Sequence, residues 1–197
     1  VGFDTGWVNS VTYESPVVQG FNAVVQFAAK EATGSTNANS YAAAGSYNNG
    51  PISATLTYVK GGKTTQPSAT AYTADEKVAD LGVSYDFGAA KLFGLYQTNK
   101  KSDNSVNNKT FTISGTYTIG AVVLMAQAGE LKAVSGVKSK LVALGADYNL
   151  SKMSAVYFRA ESVNDEAGAM NAAVTPTAIK GTDTKFARTA LGIRIGF

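Results

Sequence analysis

The sequence predicts an all-β fold, a transmembrane antiparallel up-and-down β-barrel of about eleven strands, and three observations carry that prediction. Apolar and polar side chains alternate with period two through most of the 197 residues, as they do when a strand sends successive side chains to opposite faces. Connections alternate between short turns and longer polar stretches, the asymmetry of barrels that cross a membrane. Aromatic residues collect on the apolar parity beside the short turns, as a girdle at a membrane interface would require. A mean hydropathy of −0.03 does not oppose a membrane location, because barrel strands place only alternate residues in lipid. No window approaches the roughly 20 apolar residues of a spanning helix.

The strands are justified in order. Trp7 to Glu14 alternates Asn9, Val11, Tyr13 with Ser10, Thr12, Glu14, and Ser15-Pro16 ends it. Phe21 to Lys30 sets Phe21, Ala23, Val25, Phe27 against Asn22, Val24, Gln26, Ala28, Lys30. Ser40 to Tyr47 and Ile52 to Tyr58 read as a hairpin around Asn48-Asn49-Gly50-Pro51. Leu81 to Phe87 turns at Gly88-Ala89 into Ala90 to Thr98, whose two parities are both apolar; Lys91 and Gln97 are taken as the polar face. Thr110 to Thr118 has the most regular alternation, and Val122 to Ala128 follows Gly120. Leu141 to Tyr148 turns at Asn149-Leu150-Ser151-Lys152 into Val156 to Glu161. A long loop to about Asp183 then leads to Ala187 to Phe197, with Leu191, Ile193, Ile195 and Phe197 on one face and Arg188 and Arg194 on the other. Longer polar loops are expected after Lys30, Tyr58, Thr98, Leu131 and Glu161. Tyr13, Phe21, Tyr47, Tyr85, Phe87, Tyr117, Tyr148 and Phe197 form the girdle at the short-turn end, with Phe27, Tyr41, Tyr58 and Phe111 toward the other.

Composition removes several functions. The chain has no Cys and no His, which takes away thiolate and imidazole chemistry together and argues against an enzyme, a zinc site or a cofactor. The net charge of +3 is scattered rather than gathered into a run, which argues against nucleic acid as a partner. Asp75-Glu76 and Asp165-Glu166 read as solvated loop charges rather than a divalent-cation site. Alternation by itself also fits a soluble β-barrel that holds a small ligand in an apolar interior. Aromatics banked at one end of nearly every strand, and a polar parity rich in Ser, Thr, Asn and Gln, favour lipid outside and water inside.

Asn9-Ser10-Val11-Thr12-Tyr13-Glu14-Ser15-Pro16 followed by Gly20-Phe21 resembles the segment just after the constriction loop in the trimeric general porins of Gram-negative bacteria. Tyr85-Asp86-Phe87-Gly88, the run Leu144 to Lys152 and the closing strand match that family in order. The resemblance implies a sixteen-stranded barrel in which residues 1–197 form a single porin domain supplying about the sixth to sixteenth strands. The first strands and the constriction loop are then expected to be lacking, in keeping with an odd strand count and with no signal peptide at Val1. It further implies passive diffusion of small hydrophilic solutes and ions across the bacterial outer membrane, and a homotrimer in contact with the lipid bilayer and lipopolysaccharide. In that family the barrel-assembly machinery reads the terminal aromatic residue, here Phe197.

On this reading the parity rule assigns Lys30, Lys91, Arg159, Glu161, Arg188 and Arg194 to the pore lining, and Glu14, Asp86 and Asp147 to the periplasmic vestibule. Of the cations, Arg159 and Arg188 lie nearer mid-height or above, whereas the vestibule carboxylates lie beside the short turns, so a mild anion preference is expected. Arg159 has a competing role as half of an ion pair, with Glu161 on its own strand or with a neighbouring one.

Overall fold

The computed structural model describes residues 7, 9–29, 38–61, 76–168 and 184–196. Its strands are β1 (Ser10–Glu14), β2 (Phe21–Ala28), β3 (Ser40–Asn49), β4 (Ile52–Gly61), β5 (Glu76–Asp86), β6 (Ala90–Lys101), β7 (Asn107–Ile119), β8 (Val122–Lys132), β9 (Lys138–Asn149), β10 (Ser154–Asp165) and β11 (Lys185–Ile195). They follow one another in the sheet in chain order from β1 to β11. Short hairpin connections allow only antiparallel neighbours, so an up-and-down order is what these turns dictate. The chain divides into two compact units, residues 1–83 with 96–109 and residues 84–95 with 110–197.

In the first unit, β2 and β3 pair from Phe21↔Tyr47 to Ala28↔Ser40. Phe21, Ala23, Val25 and Phe27 are exposed while Val24, Gln26 and Ala28 are buried, and β3 exposes Tyr41, Ala43 and Gly45 while burying Ser40, Ala42, Ala44 and Ser46. Aromatic rings meet across the exposed face, Phe21 with Tyr47 at 4.4 Å and Phe27 with Tyr41 at 5.4 Å between centroids. Such pairs add to strand pairing. The β1–β2 connection is tied by Asn22 Nδ2, which donates to the Ser15 carbonyl at 2.7 Å. It turns at Gly20, whose φ is +87° and whose missing Cβ would run into the backbone carbonyl oxygen of Asn48. That same turn accepts the Asn48 N–H on the Gly20 carbonyl at 2.8 Å. Gly20→Ala is therefore expected to cost about 1–3 kcal/mol, from positive-φ strain and backbone overlap together. Gly50→Ala, at φ +55° in open space, should cost less. Urea midpoints of the refolded full-length protein check the difference.

In the second unit, the Asp86 carboxylate accepts the Gly88 N–H at 2.8 Å and shapes the β5–β6 turn. Strand β10 is flanked on both sides, pairing with β9 from Ala155↔Asn149 and with β11 from Ser154↔Ile195. The β6 ambiguity resolves through Leu92, whose Cδ2 lies 2.9 Å from where a Cβ on Gly115 would stand. Leu92 thus shares the face of Ile113 and Tyr117, and Lys91 takes the opposite one, its Nζ 5.4 Å from the Phe93 ring centroid.

Two expectations need correction. The strands outrun their expected bounds at the loop ends, so the connections after β6 and β8 are only 102–106 and 133–137, each closed by a backbone bond (Lys101 N–H to Val106 O and Ala133 N–H to Val137 O, both 2.9 Å). Beyond the apolar band the outward parity turns polar, as at Glu130 and Lys132, and the alternation signal is lost while the hydrogen-bond ladder continues. At the other extreme β1 starts at Ser10, because Asn9 has a φ of 54° that interrupts the strand.

The apolar parity faces outward throughout. Leu191 is 76% exposed and Val11 74%, whereas Val24 on the opposite parity is 1% exposed. A soluble barrel with an apolar interior requires the reverse, and that alternative is excluded. Outside β6, where Phe93 and Leu95 on the opposite parity are exposed as well, the exposed Leu, Ile, Phe and Tyr of the strands lie on one face, and in this number they need lipid as their surroundings.

Candidate functional site

Five charged side chains of the polar face, Asp147, Arg159, Glu161, Arg188 and Arg194, gather on β9, β10 and β11. Hairpin register brings them together: Tyr157 stands opposite Asp147 and Gly192, Arg159 opposite Gly145, and Glu161 opposite Arg188. Asp147 is 4% exposed and lies between two guanidinium groups, Arg159 Nη1 at 2.6 Å and Arg194 Nη2 at 3.5 Å. Arg159 Nη1 directs its hydrogens at the carbonyls of Phe158 (2.8 Å) and Ala146 (3.2 Å). Its approach to Asp147 Oδ1, which accepts no aligned hydrogen bond, is therefore a charge contact. Arg188 Nε forms the second ion pair, with Glu161.

Two glycines let the long side chains lie flat. The position a Cβ would take on Gly145 is 3.1 Å from Arg159 Cδ and Nη1, and that on Gly192 is 2.5 Å from the Tyr157 hydroxyl. Arg159 leans across β9 and Tyr157 across β11, with the guanidinium 5.4 Å from the Tyr157 ring centroid. Any side chain on either glycine would lift its partner off the sheet. Gly145, Gly192 and Tyr157 all lie on the polar parity of their strands, and that parity is the signal the sequence carries for them.

The carboxylates sit against the sheet and the guanidiniums stand above them. Side-chain exposure is 5% for Asp147 and 21% for Glu161, against 39% for Arg159, 33% for Arg188 and 63% for Arg194. This face therefore presents cationic groups to what lies over it, although each carboxylate is close to a partner. Arg159 pairs with Asp147 on β9 rather than with Glu161 two residues along its own strand, because Glu161 is taken by Arg188.

The other assigned residues belong to other strands and turns. Lys91 lies on the polar parity of β6, Asp86 serves its own turn, and Glu14 ends β1. Lys30 and Phe197 lie outside the described residues, as does Asp75. Asp165 is the last residue of β10 and not a solvated loop charge: it is 1% exposed and accepts a 2.7 Å hydrogen bond from Ser139 Oγ, which in turn accepts the Ala167 N–H at 3.1 Å. Glu76 opens β5. Among the described residues no group of three carboxylates is placed to hold a metal ion.

An antiparallel sheet with a lipid-compatible outer face and a charged, hydrogen-bonding inner one defines a transmembrane β-barrel wall. Comparison with known proteins carries this further. The family described as Gram-negative porin matches residues 1–168, and the chain belongs to that family, whose place is the bacterial outer membrane. It is 34% identical over 163 residues to outer membrane porin protein 32 of Delftia acidovorans, covering 76% of this chain and 44% of that protein. Among solved structures it is similar to the anion-selective porin from Comamonas acidovorans, with a TM-score of 0.65 and 23% identity over 94% of this chain and 57% of that one. It is also similar to the trimer form of OmpT, an outer membrane protein of Vibrio cholerae, with a TM-score of 0.53 and 16% identity over 79% of this chain and 54% of that one. The chain thus spans about half the length of the relatives it matches.

Proposed function

We propose that this chain forms part of the wall of a passive diffusion channel for small hydrophilic solutes and ions, a porin with a mild preference for anions. The observation that carries the reading is the arrangement on β9–β11, where guanidiniums stand over carboxylates that lie against the sheet. A hydrated anion crossing such a surface meets positive charge first, while the paired carboxylates keep the preference mild. The name of the Comamonas relative, an anion-selective porin, supports the same sign.

On this proposal residues 1–197 are one porin domain within a sixteen-stranded barrel. Lys30, Lys91, Arg159, Glu161, Arg188 and Arg194 line the pore, and Glu14, Asp86 and Asp147 lie toward its periplasmic mouth. Phe197 serves as the assembly signal read by the barrel-assembly machinery. The full-length protein is a homotrimer, as the trimer form of the Vibrio relative suggests, in contact with lipopolysaccharide.

Planar-bilayer recording of the full-length protein tests the reading. Stepwise conductance with a reversal potential of the anion-selective sign is expected, and Arg194→Glu should move that potential toward cation selectivity. The movement should be largest in dilute salt, where the screening length grows to about 30 Å at 0.01 M. A protein that forms no conducting steps overturns the channel, and clear cation selectivity of the unaltered protein overturns the anion preference.

A further inference from the structure

Strand β6 breaks the rule that the rest of the wall follows. Among the described strand residues, Phe93 and Leu95 are the large apolar side chains that lie well exposed on the polar parity, at 38% and 40%. Both flanks are low and polar. The Thr118 N–H bonds the Ala89 carbonyl at 2.8 Å, and that register sets Lys91 opposite Thr116, Phe93 opposite Ser114 and Leu95 opposite Thr112. On the other side the Phe87 N–H bonds the Ala90 carbonyl at 2.8 Å, which sets Ser84 opposite Phe93. A ring and an isobutyl group thus rise above short hydroxyl side chains. Water gives no reason for them there, and exposed apolar surface out of place marks contact with a ligand or partner.

A cation stands beside them. Lys91 Nζ is 5.4 Å from the Phe93 ring centroid, within the range of a cation–π contact. Among the described residues Lys91 belongs to no ion pair, whereas Arg159 and Arg194 share Asp147 and Arg188 has Glu161. Asp86 stands across the β5–β6 hairpin from Lys91, but its carboxylate accepts the Gly88 N–H at 2.8 Å. The carboxylates of β9 and β10 are three and four strand spacings from β6, about 14 and 19 Å along the sheet at ~4.8 Å each. Lys91 therefore offers its charge to what passes over the sheet.

We infer that Lys91, Phe93 and Leu95 form a contact site on the pore wall for aromatic carboxylates. The ring of the solute packs on Phe93 and Leu95, and its carboxylate takes the Lys91 ammonium and the Thr116 hydroxyl. An apolar surface with a few convergent polar groups is the usual make-up of a small-molecule site. Phe93 and Leu95 lie about 10 and 17 Å along the strand from Ala90 at ~3.4 Å per residue, inside the wall rather than at its mouth. Contact on one open wall raises the solute's local concentration without holding it, as passage requires. The site rests on the porin reading of the polar face and narrows the favoured anions to those with an apolar body.

Saturation-transfer NMR of the full-length protein in detergent, with benzoate, acetate and benzyl alcohol as probes, reads binding whether or not the pore conducts. Benzoate should bind about tenfold tighter than acetate, which has the charge without the ring, and than benzyl alcohol, which has the ring without the charge. F93S/L95S should weaken benzoate about tenfold, and Phe93→Leu, which keeps the apolar bulk, should weaken it less. Lys91→Gln should bring benzoate down to the level of benzyl alcohol. Equal binding of benzoate and acetate, or benzoate binding that ignores both Lys91→Gln and Phe93→Leu, overturns the site. An F93S/L95S protein that binds benzoate as before but unfolds at lower urea overturns it too, and gives Phe93 and Leu95 to packing within the full-length chain. Planar-bilayer recording on the same preparations separates this site from the channel. Ring-dependent benzoate binding by a non-conducting protein would sustain the site and sink the pore, whereas a conducting, anion-selective protein that treats benzoate and acetate alike would do the opposite.

Discussion

Leu144→Arg in the full-length protein is expected to lower stability in a lipid bilayer by about 2–4 kcal/mol, the cost of a cation near the membrane midplane. Leu144 lies halfway along β9 between Tyr148 at the turn and Lys140 at the loop end, and it is largely exposed. In a water-soluble protein an exposed Leu→Arg change stays within about ±0.5 kcal/mol. The sign and size of this one substitution therefore depend on what the outer face touches. Ala143→Arg, one residue away on the opposite face beside Glu161, should cost far less and alter ion selectivity instead. Urea unfolding of the refolded barrel in lipid vesicles measures both. Equal effects at 143 and 144 would remove the assignment of faces on which the fold reading rests.

Arg159→Met is expected to cost about 3 kcal/mol, toward the lower end of what removing one partner of a buried ion pair costs. The reason is an asymmetry between partners. Asp147 is buried, and without Arg159 it keeps only Arg194 at 3.5 Å. Asp147→Asn leaves two arginines that already reach solvent, so it should cost less than half as much. Replacing both, as in D147L/R159M, should recover most of the loss, because neither charge remains to be desolvated. The same urea titrations, run as a double-mutant cycle, check all three values. If Asp147→Asn proves the more damaging single change, the carboxylate is not the group that burial penalises.

Much of the fold was legible in the residue order. Alternation is a local property, and each of Val11-Thr12-Tyr13, Phe27-Ala28 or Ile193-Arg194-Ile195 states its two faces within a few positions. Turn chemistry is equally local, so Ser15-Pro16, Asn48-Asn49-Gly50-Pro51 and Gly120 marked connections that exist. The strand ends at the loop side were not legible. There the outward parity turns from Ala128 to Glu130 and Lys132, and from Val142 to Lys140 and Lys138, so the apolar-polar alternation that marks a strand is lost.

The candidate site divides in the same way. Sequence parity assigned Arg159, Glu161, Arg188, Arg194 and Asp147 to one face, and residues 1–168 sufficed to place the chain among the Gram-negative porins. Partnership was beyond it. Asp147 meets Arg159 twelve residues on and Arg194 on a third strand, and Asp165 reaches back to Ser139, only because hairpin registers set which residues stand opposite. What the sequence determined by itself is the two-faced strand, a consequence of backbone geometry acting over neighbouring residues. What only the tertiary structure decided is which charges share a neighbourhood, because Coulomb energy falls with distance in space, and the chain order of residues in different strands does not specify that distance.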